Sequence, residues 1–145
     1  MRLVLDAEGV NALVQDRHCS RRLVEHEIAS ALRFGREICI ASVTLAELYR
    51  GTARVAALNA LLARLEDHDV RLRDTDRRFA RLVGSLLHSA GVGSAHLADA
   101  HAVAAAVEAG GGSVLTSDPD DLTRLADGDP RVVVVALSDW NHAPC

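Results

Sequence analysis

Short apolar runs rich in β-branched residues alternate with longer stretches of helical period along the whole chain. A chain that keeps switching between these two periods has few folds open to it, because a helix must carry each strand back before the next one starts. Strands are expected near residues 2 to 5, 37 to 41, 69 to 72, 113 to 116 and 132 to 136. The last, Val132-Val133-Val134-Val135-Ala136, is continuous rather than alternating, which suits a strand covered on both faces. Helices are expected over Asn11 to Gln15, Ser20 to Phe34, Thr44 to about Glu66 and Thr75 to Ala90, with another opening at His96. Gly35 and Gly91 follow two of these where a left-handed cap is wanted. Leu58, Leu61, Leu62 and Leu65 have the i, i+3, i+4, i+7 spacing of an apolar stripe; burial in its own core is its first use, a homodimer or protein partner its second. Strands separated by helices pair in parallel through right-handed crossovers. The reading is an α/β fold with a central, mostly parallel five-stranded sheet flanked by helices.

At 145 residues the chain matches the usual size of one domain, roughly 100 to 150 residues, and residues 1–145 are read as one. A composition of 49% hydrophobic and 25% charged residues excludes disorder. No apolar run approaches the roughly 20 residues a membrane helix needs, and no signal-peptide layout opens the chain, so the expected address is the cytoplasm. Cys19, Cys39 and Cys145 show no Cys-x-x-Cys or Cys/His metal spacing; Cys39 is read as a core residue and the others as ordinary thiols. The net charge of -4 argues against non-specific wrapping of nucleic acid. It leaves a nuclease open, because an acidic cluster can be offset by cations.

Four acids lie where strands hand over to helices or loops: Asp6, Glu47, Asp99 and Asp118. Open parallel sheets bind ligands beyond the carboxyl ends of their strands, at the point where the winding reverses. Asp6 and Asp118 stand at that end, and Asp99 and Glu47 stand in the first turns of helices leading from it. Capping would account for each acid separately. Thr44-x-x-Glu47 has the form of a capping box, Asp118-Pro119 that of an N-cap followed by proline, and Asp99 and Asp6 each suit a helix start. Capping gives no reason for all four to gather on one edge, whereas a divalent metal does. Mg²⁺ or Mn²⁺ prefers hard oxygen ligands, and crowded carboxylates repel one another until a cation neutralises them. Such sites can activate a water and steady a leaving oxygen, the needs of phosphodiester hydrolysis.

The motifs that carry these acids are Leu3-Val4-Leu5-Asp6, Thr44-Leu45-Ala46-Glu47-Leu48-Tyr49-Arg50-Gly51, Leu97-Ala98-Asp99-Ala100-His101 and Leu115-Thr116-Ser117-Asp118-Pro119-Asp120-Asp121-Leu122. In that order and at those intervals the chain resembles the PIN domain family, and within it the VapC-type toxin ribonucleases of bacterial toxin-antitoxin pairs. The resemblance spans essentially the whole chain. It implies a Mg²⁺- or Mn²⁺-dependent endoribonuclease, with Asp6, Asp99 and Asp118 on a first ion and Glu47 helping a second ion or the attacking water. It further implies that Thr116 supports the acids by hydrogen bonding and that Asp121 stands in the outer shell. An RNA substrate, a small antitoxin partner and a homodimer go with it. The chain departs from the family pattern at Ala7, where a hydroxyl residue is common, at Ser117, where Asn or a basic residue is frequent, and at Leu122, which replaces a usual Phe; Glu8 adds an acid near the site.

His96 and Asp99, three apart, could meet, but the histidines are read as solvated rather than as zinc ligands. Arg17, Arg21 and Arg22 form one basic group and Arg71, Arg73, Arg77, Arg78 and Arg81 another; each is first a solvated face and second a flank for RNA phosphates. Two other functions compete with the nuclease. A degenerate PIN-like module would bind RNA or protein without cutting, and four retained acids count against it. A phosphotransferase with Asp6 as nucleophile would want a lysine near the phosphate, and the chain has none.

Overall fold

A computed structural model of the chain describes residues 1–50 and 55–137. Strands β1 (Arg2–Leu5), β2 (Glu37–Ala41), β3 (Val70–Arg73), β4 (Gly112–Thr116) and β5 (Val132–Ala136) form one sheet in the order β3-β2-β1-β4-β5, with every pair parallel. The expected α/β class and five-stranded sheet are therefore what the chain forms. β3 starts one residue later than expected, because Asp69 takes a left-handed φ of 58° and closes the preceding helix. Gly112 opens β4 so close to β1 that a β-carbon there would run into the Arg2 carbonyl.

The helices are α1 (Ala7–Val14), α2 (Arg21–Arg33), α3 (Ser42–Leu48), α4 (Val55–Glu66), α5 (Arg77–Ala90), α6 (Leu97–Glu108) and α7 (Pro119–Ala126), with a short 3-10 turn, Ser94–His96, before α6. Three differ from expectation for local reasons. α1 starts at Ala7 rather than Asn11, because Asp6 caps it through the Gly9 N–H at 2.8 Å. α5 starts at Arg77 rather than Thr75, because Asp76 accepts from the Phe79 N–H at 2.8 Å. The long helix expected from Thr44 to Glu66 is two helices. α3 begins at Ser42 and ends at Leu48, where its last turn tightens and the Arg50 N–H bonds the Glu47 carbonyl. Residues 51–54, including the Gly51 of the Glu-Leu motif, lie outside the described residues.

Strand alternation sorts the core onto two faces of the sheet. Leu3 and Leu5 of β1, with Ile38, Ile40 and Leu115, pack under α1, α2 and α4, while Val4, Cys39 and Val114 face α5, α6 and α7. Leu58, Leu61 and Leu65 are buried in the first cluster and Leu62 packs against it, so the α4 stripe serves the core of its own chain rather than a partner. Each such leucine contributes roughly 1.5–3 kcal/mol relative to exposure. β5 is the sheet edge, yet both its faces meet the core as expected: Val132 and Val134 pack against the second cluster and Val135 against the first, with Val133 alone exposed in this strand. Cys39 is free and buried, and that burial pushes its thiol up to about 11. Cys19, expected as an ordinary thiol, is disulfide-bonded; Cys145 lies outside the described residues. Among the described residues no helix is long and apolar enough to cross a membrane.

Gly91 closes α5 at φ 63°, and its N–H bonds the Leu87 and His88 carbonyls. A β-carbon is strained in that conformation. Gly91→Ala is expected to lower stability by about 1 kcal/mol, or about 2–4 °C in Tm for a chain near this size. Thermal unfolding followed by circular dichroism checks this; an unchanged Tm would mean that the cap contributes nothing.

Candidate metal centre

The strand order puts β1 at the centre of the sheet, with winding outward through β2 and β3 on one side and β4 and β5 on the other. The reversal falls between β1 and β4, so the crevice beyond their carboxyl ends is where an open sheet binds its ligand. Asp6 directly follows β1, and its N–H bonds the Leu115 carbonyl of β4 at 3.2 Å. Thr116, the last residue of β4, is 1% exposed and faces the same crevice. Its hydroxyl donates to the Asp6 carboxylate and accepts the Asp118 N–H at 3.0 Å. One buried hydroxyl thus fixes a side chain from β1 against the backbone leaving β4.

Asp6 is buried, and desolvation pushes its carboxyl from 3.8 up to about 6. Hydrogen bonds from Thr116, Gly9 and Glu8 pull it down, and the charge on Asp99 pushes it further up. Asp99, the third residue of α6, is also raised, first by burial and then by the charges on Asp121, Glu47 and Asp118, with His96 opposing. Asp99 thus feels carboxylates carried by α3 and by α7 with its cap, and itself acts on Asp6 at the cap of α1. Asp121, the third residue of α7, approaches from the other helix start. His96 Nδ1 lies 3.3 Å from Asp121 Oδ2 and 3.7 Å from Asp99 Oδ2.

The capping readings divide. Asp6 does cap α1. Asp118 occupies the cap position of α7, but its side chain makes no capping bond. Glu47 is not in a first turn: α3 starts after Ala41, which leaves Thr44 inside the helix and Glu47 in the last turn. The helix dipole disfavours a carboxylate there, so local helix energetics do not explain it. Glu8 pairs with His18 Nε2 at 2.7 Å and accepts from Asn11 at 3.3 Å.

A family model described as PIN domain matches residues 3–128. The chain belongs to the PIN domain family. No curated protein matches it. Among solved structures it resembles a chain of VapBC2 from Rickettsia felis bound to a DNA fragment from their promoter, with TM-score 0.64 and 17% identity, covering 94% of this chain and 98% of that one. It also resembles a chain of DNA-bound VapBC from Salmonella typhimurium, with TM-score 0.57 and 22% identity, again covering 94% and 98%. At such identities the likeness is one of fold.

In this PIN domain the donor set fits a divalent cation. The groups are mostly carboxylate oxygens, and burial and mutual repulsion already raise Asp6 and Asp99, a penalty that positive charge would remove. Two histidines differ from the solvated reading. His101 is buried and held between the Leu97 carbonyl and Thr75 Oγ1, a packing role. His96 stands among the acids. The signal for it was present in the sequence: His96 precedes Asp99 by one helical turn, and Asp99 and Asp121 occupy the same position in their helices.

Proposed function

We propose that this PIN domain is a metal-dependent endoribonuclease and the toxin half of a VapBC-type pair. The observation that carries the proposal is Asp99, whose carboxyl is raised by burial and by three other acids brought from α3, α7 and its cap. In this reading Asp6, Asp99 and Asp118 hold a Mg²⁺ or Mn²⁺ ion, and Glu47 serves a second ion or orients the attacking water. The bound cation supplies charge neutralisation at the phosphate and a more acidic water. Thr116 holds the Asp6 carboxylate and the backbone of Asp118 in register. Asp121 stands close to Asp99 and completes the acidic rim.

The arginines divide in a way that supports substrate contact. Arg71 pairs with Glu37, Arg73 with Asp76 and Glu108, and Arg21 with Asp16 and Glu25. Arg77, Arg78 and Arg81 instead line a surface hollow of about 530 Å³. Guanidinium groups suit RNA phosphates. The likeness to chains of VapBC complexes supports an antitoxin partner; that its tail covers the acidic crevice, and that the chain forms a homodimer, are proposed with it. The cytoplasm is the proposed address.

The test is cleavage of a panel of structured RNAs by the purified chain with Mg²⁺, with Mn²⁺ and with EDTA. Cleavage should require metal, fall to background in EDTA and return when metal is restored in excess. Absence of both cleavage with any metal and metal binding by calorimetry would favour a non-catalytic binding module.

A further inference from the structure

The imidazole of His96 is the one nitrogen donor that the structure sets among the acids of this centre within the described residues. His96, Asp99 and Asp121 each offer a ligand atom, and the three atoms lie within 4.8 Å of one another. The contacts of His96 Nδ1 with the Asp121 and Asp99 carboxylates, 3.3 Å and 3.7 Å, are ion-pair distances. A ring nitrogen that converges with two carboxylate oxygens in this way is placed as donors around a shared cation are placed. Two donors each about 2.1 Å from one ion and about 90–110° apart are separated by roughly 3.0–3.4 Å. The His96–Asp121 separation falls in that range, and the His96–Asp99 separation exceeds it by a few tenths of an ångström.

The side chains also have room to adjust. His96, Asp99 and Asp121 are all partly exposed, and each sits in or beside the first turn of a helix whose other end is anchored by packing. Donor type then decides which ion is favoured. Mg²⁺ takes oxygen ligands and keeps several waters, whereas first-row transition ions accept imidazole nitrogen readily.

We propose that His96 is a metal ligand through Nδ1, beside Asp99 and Asp121, and that it makes this centre prefer a first-row transition ion over Mg²⁺. The proposal rests on the metal-centre reading above and deepens it. Mn²⁺ is the probe, because its electron spin reports directly bound nitrogen.

The full chain loaded with Mn²⁺ should show ¹⁴N modulation in electron spin echo spectra. His96→Gln should lose it, and His88→Gln, an exposed change on α5, should keep it. By calorimetry, the ratio of Mn²⁺ to Mg²⁺ affinity should fall at least about tenfold in His96→Gln, the scale on which changes at metal sites act. Bound Mn²⁺ without nitrogen modulation in the unaltered chain would overturn the proposal whether or not the variant folds, and so would modulation that persists in His96→Gln with an unchanged circular dichroism spectrum. RNA cleavage without nitrogen coupling would remove the His96 role and leave the nuclease standing. Nitrogen coupling without cleavage of any RNA would do the reverse. Failure of Mn²⁺ to bind would overturn both.

Discussion

Asp99→Asn is expected to lower RNA cleavage by at least about 100-fold while leaving the fold unchanged. Even partners outside the immediate ligand shell of a metal typically cost about 10–100-fold when removed, and Asp99 stands at the centre of the acid cluster rather than at its rim. Asparagine keeps the size of the side chain and one carbonyl oxygen, so the first turn of α6 has no steric reason to change. What it removes is the charge against which Glu47, Asp118 and Asp121 are arrayed. Single-turnover cleavage of a fluorogenic RNA, with circular dichroism of the same samples, checks both halves of the expectation. A variant that cut at the unaltered rate would place the reaction elsewhere or assign it to a contaminating nuclease. A variant that lost both cleavage and helical signal would say that Asp99 is structural, contrary to its partly exposed position.

Asp6 and Asp118 were legible in the sequence because each follows a strand, and a strand's end fixes where its successor stands. Asp99 was legible because a helix that opens near the same edge presents its first turn there. Glu47 was placed in the wrong turn. Helix α3 starts directly after β2 with Ala41 at its cap, so no polar residue marks the start, and Thr44 offered a false one. The continuous run of β5 rightly indicated packing on both faces, but whether a strand is central or marginal depends on sheet order, which local pattern does not contain. The same limit applies to His96. Its spacing from Asp99 allowed a meeting, but the approach of Asp121 depends on α6 and α7 packing with their first turns together.

Asp6→Asn is expected to stabilise the metal-free chain near pH 7.5, the opposite of what most substitutions at a buried polar residue do. Asp6 is 9% exposed, and its carboxyl is pushed from 3.8 up to about 6 mainly by burial. Below about pH 3.8 the group is protonated whether the chain is folded or unfolded, and it costs nothing. Between 3.8 and about 6 the unfolded chain releases the proton first, so stability falls as pH rises. Above about 6 the cost is constant and amounts to at most about 3 kcal/mol. Asparagine caps helices about as well as aspartate, so the bond from the Gly9 N–H survives, and the Thr116 hydroxyl can turn to suit an amide. The gain should be about 1–3 kcal/mol at pH 7.5 in EDTA, about 2–4 °C in Tm per kcal/mol, and should vanish near pH 3.5. With Mn²⁺ or Mg²⁺ present the order should reverse, because the cation stabilises only the chain that binds it. Chemical denaturation of both forms across pH, with and without metal, reads all of this. A variant less stable than the parent in EDTA at pH 7.5, or a gain that does not shrink in acid, would mean that Asp6 serves the fold as a cap. The expected outcome would mean that aspartate stands where asparagine would hold the helix equally well, so its charge serves the cation.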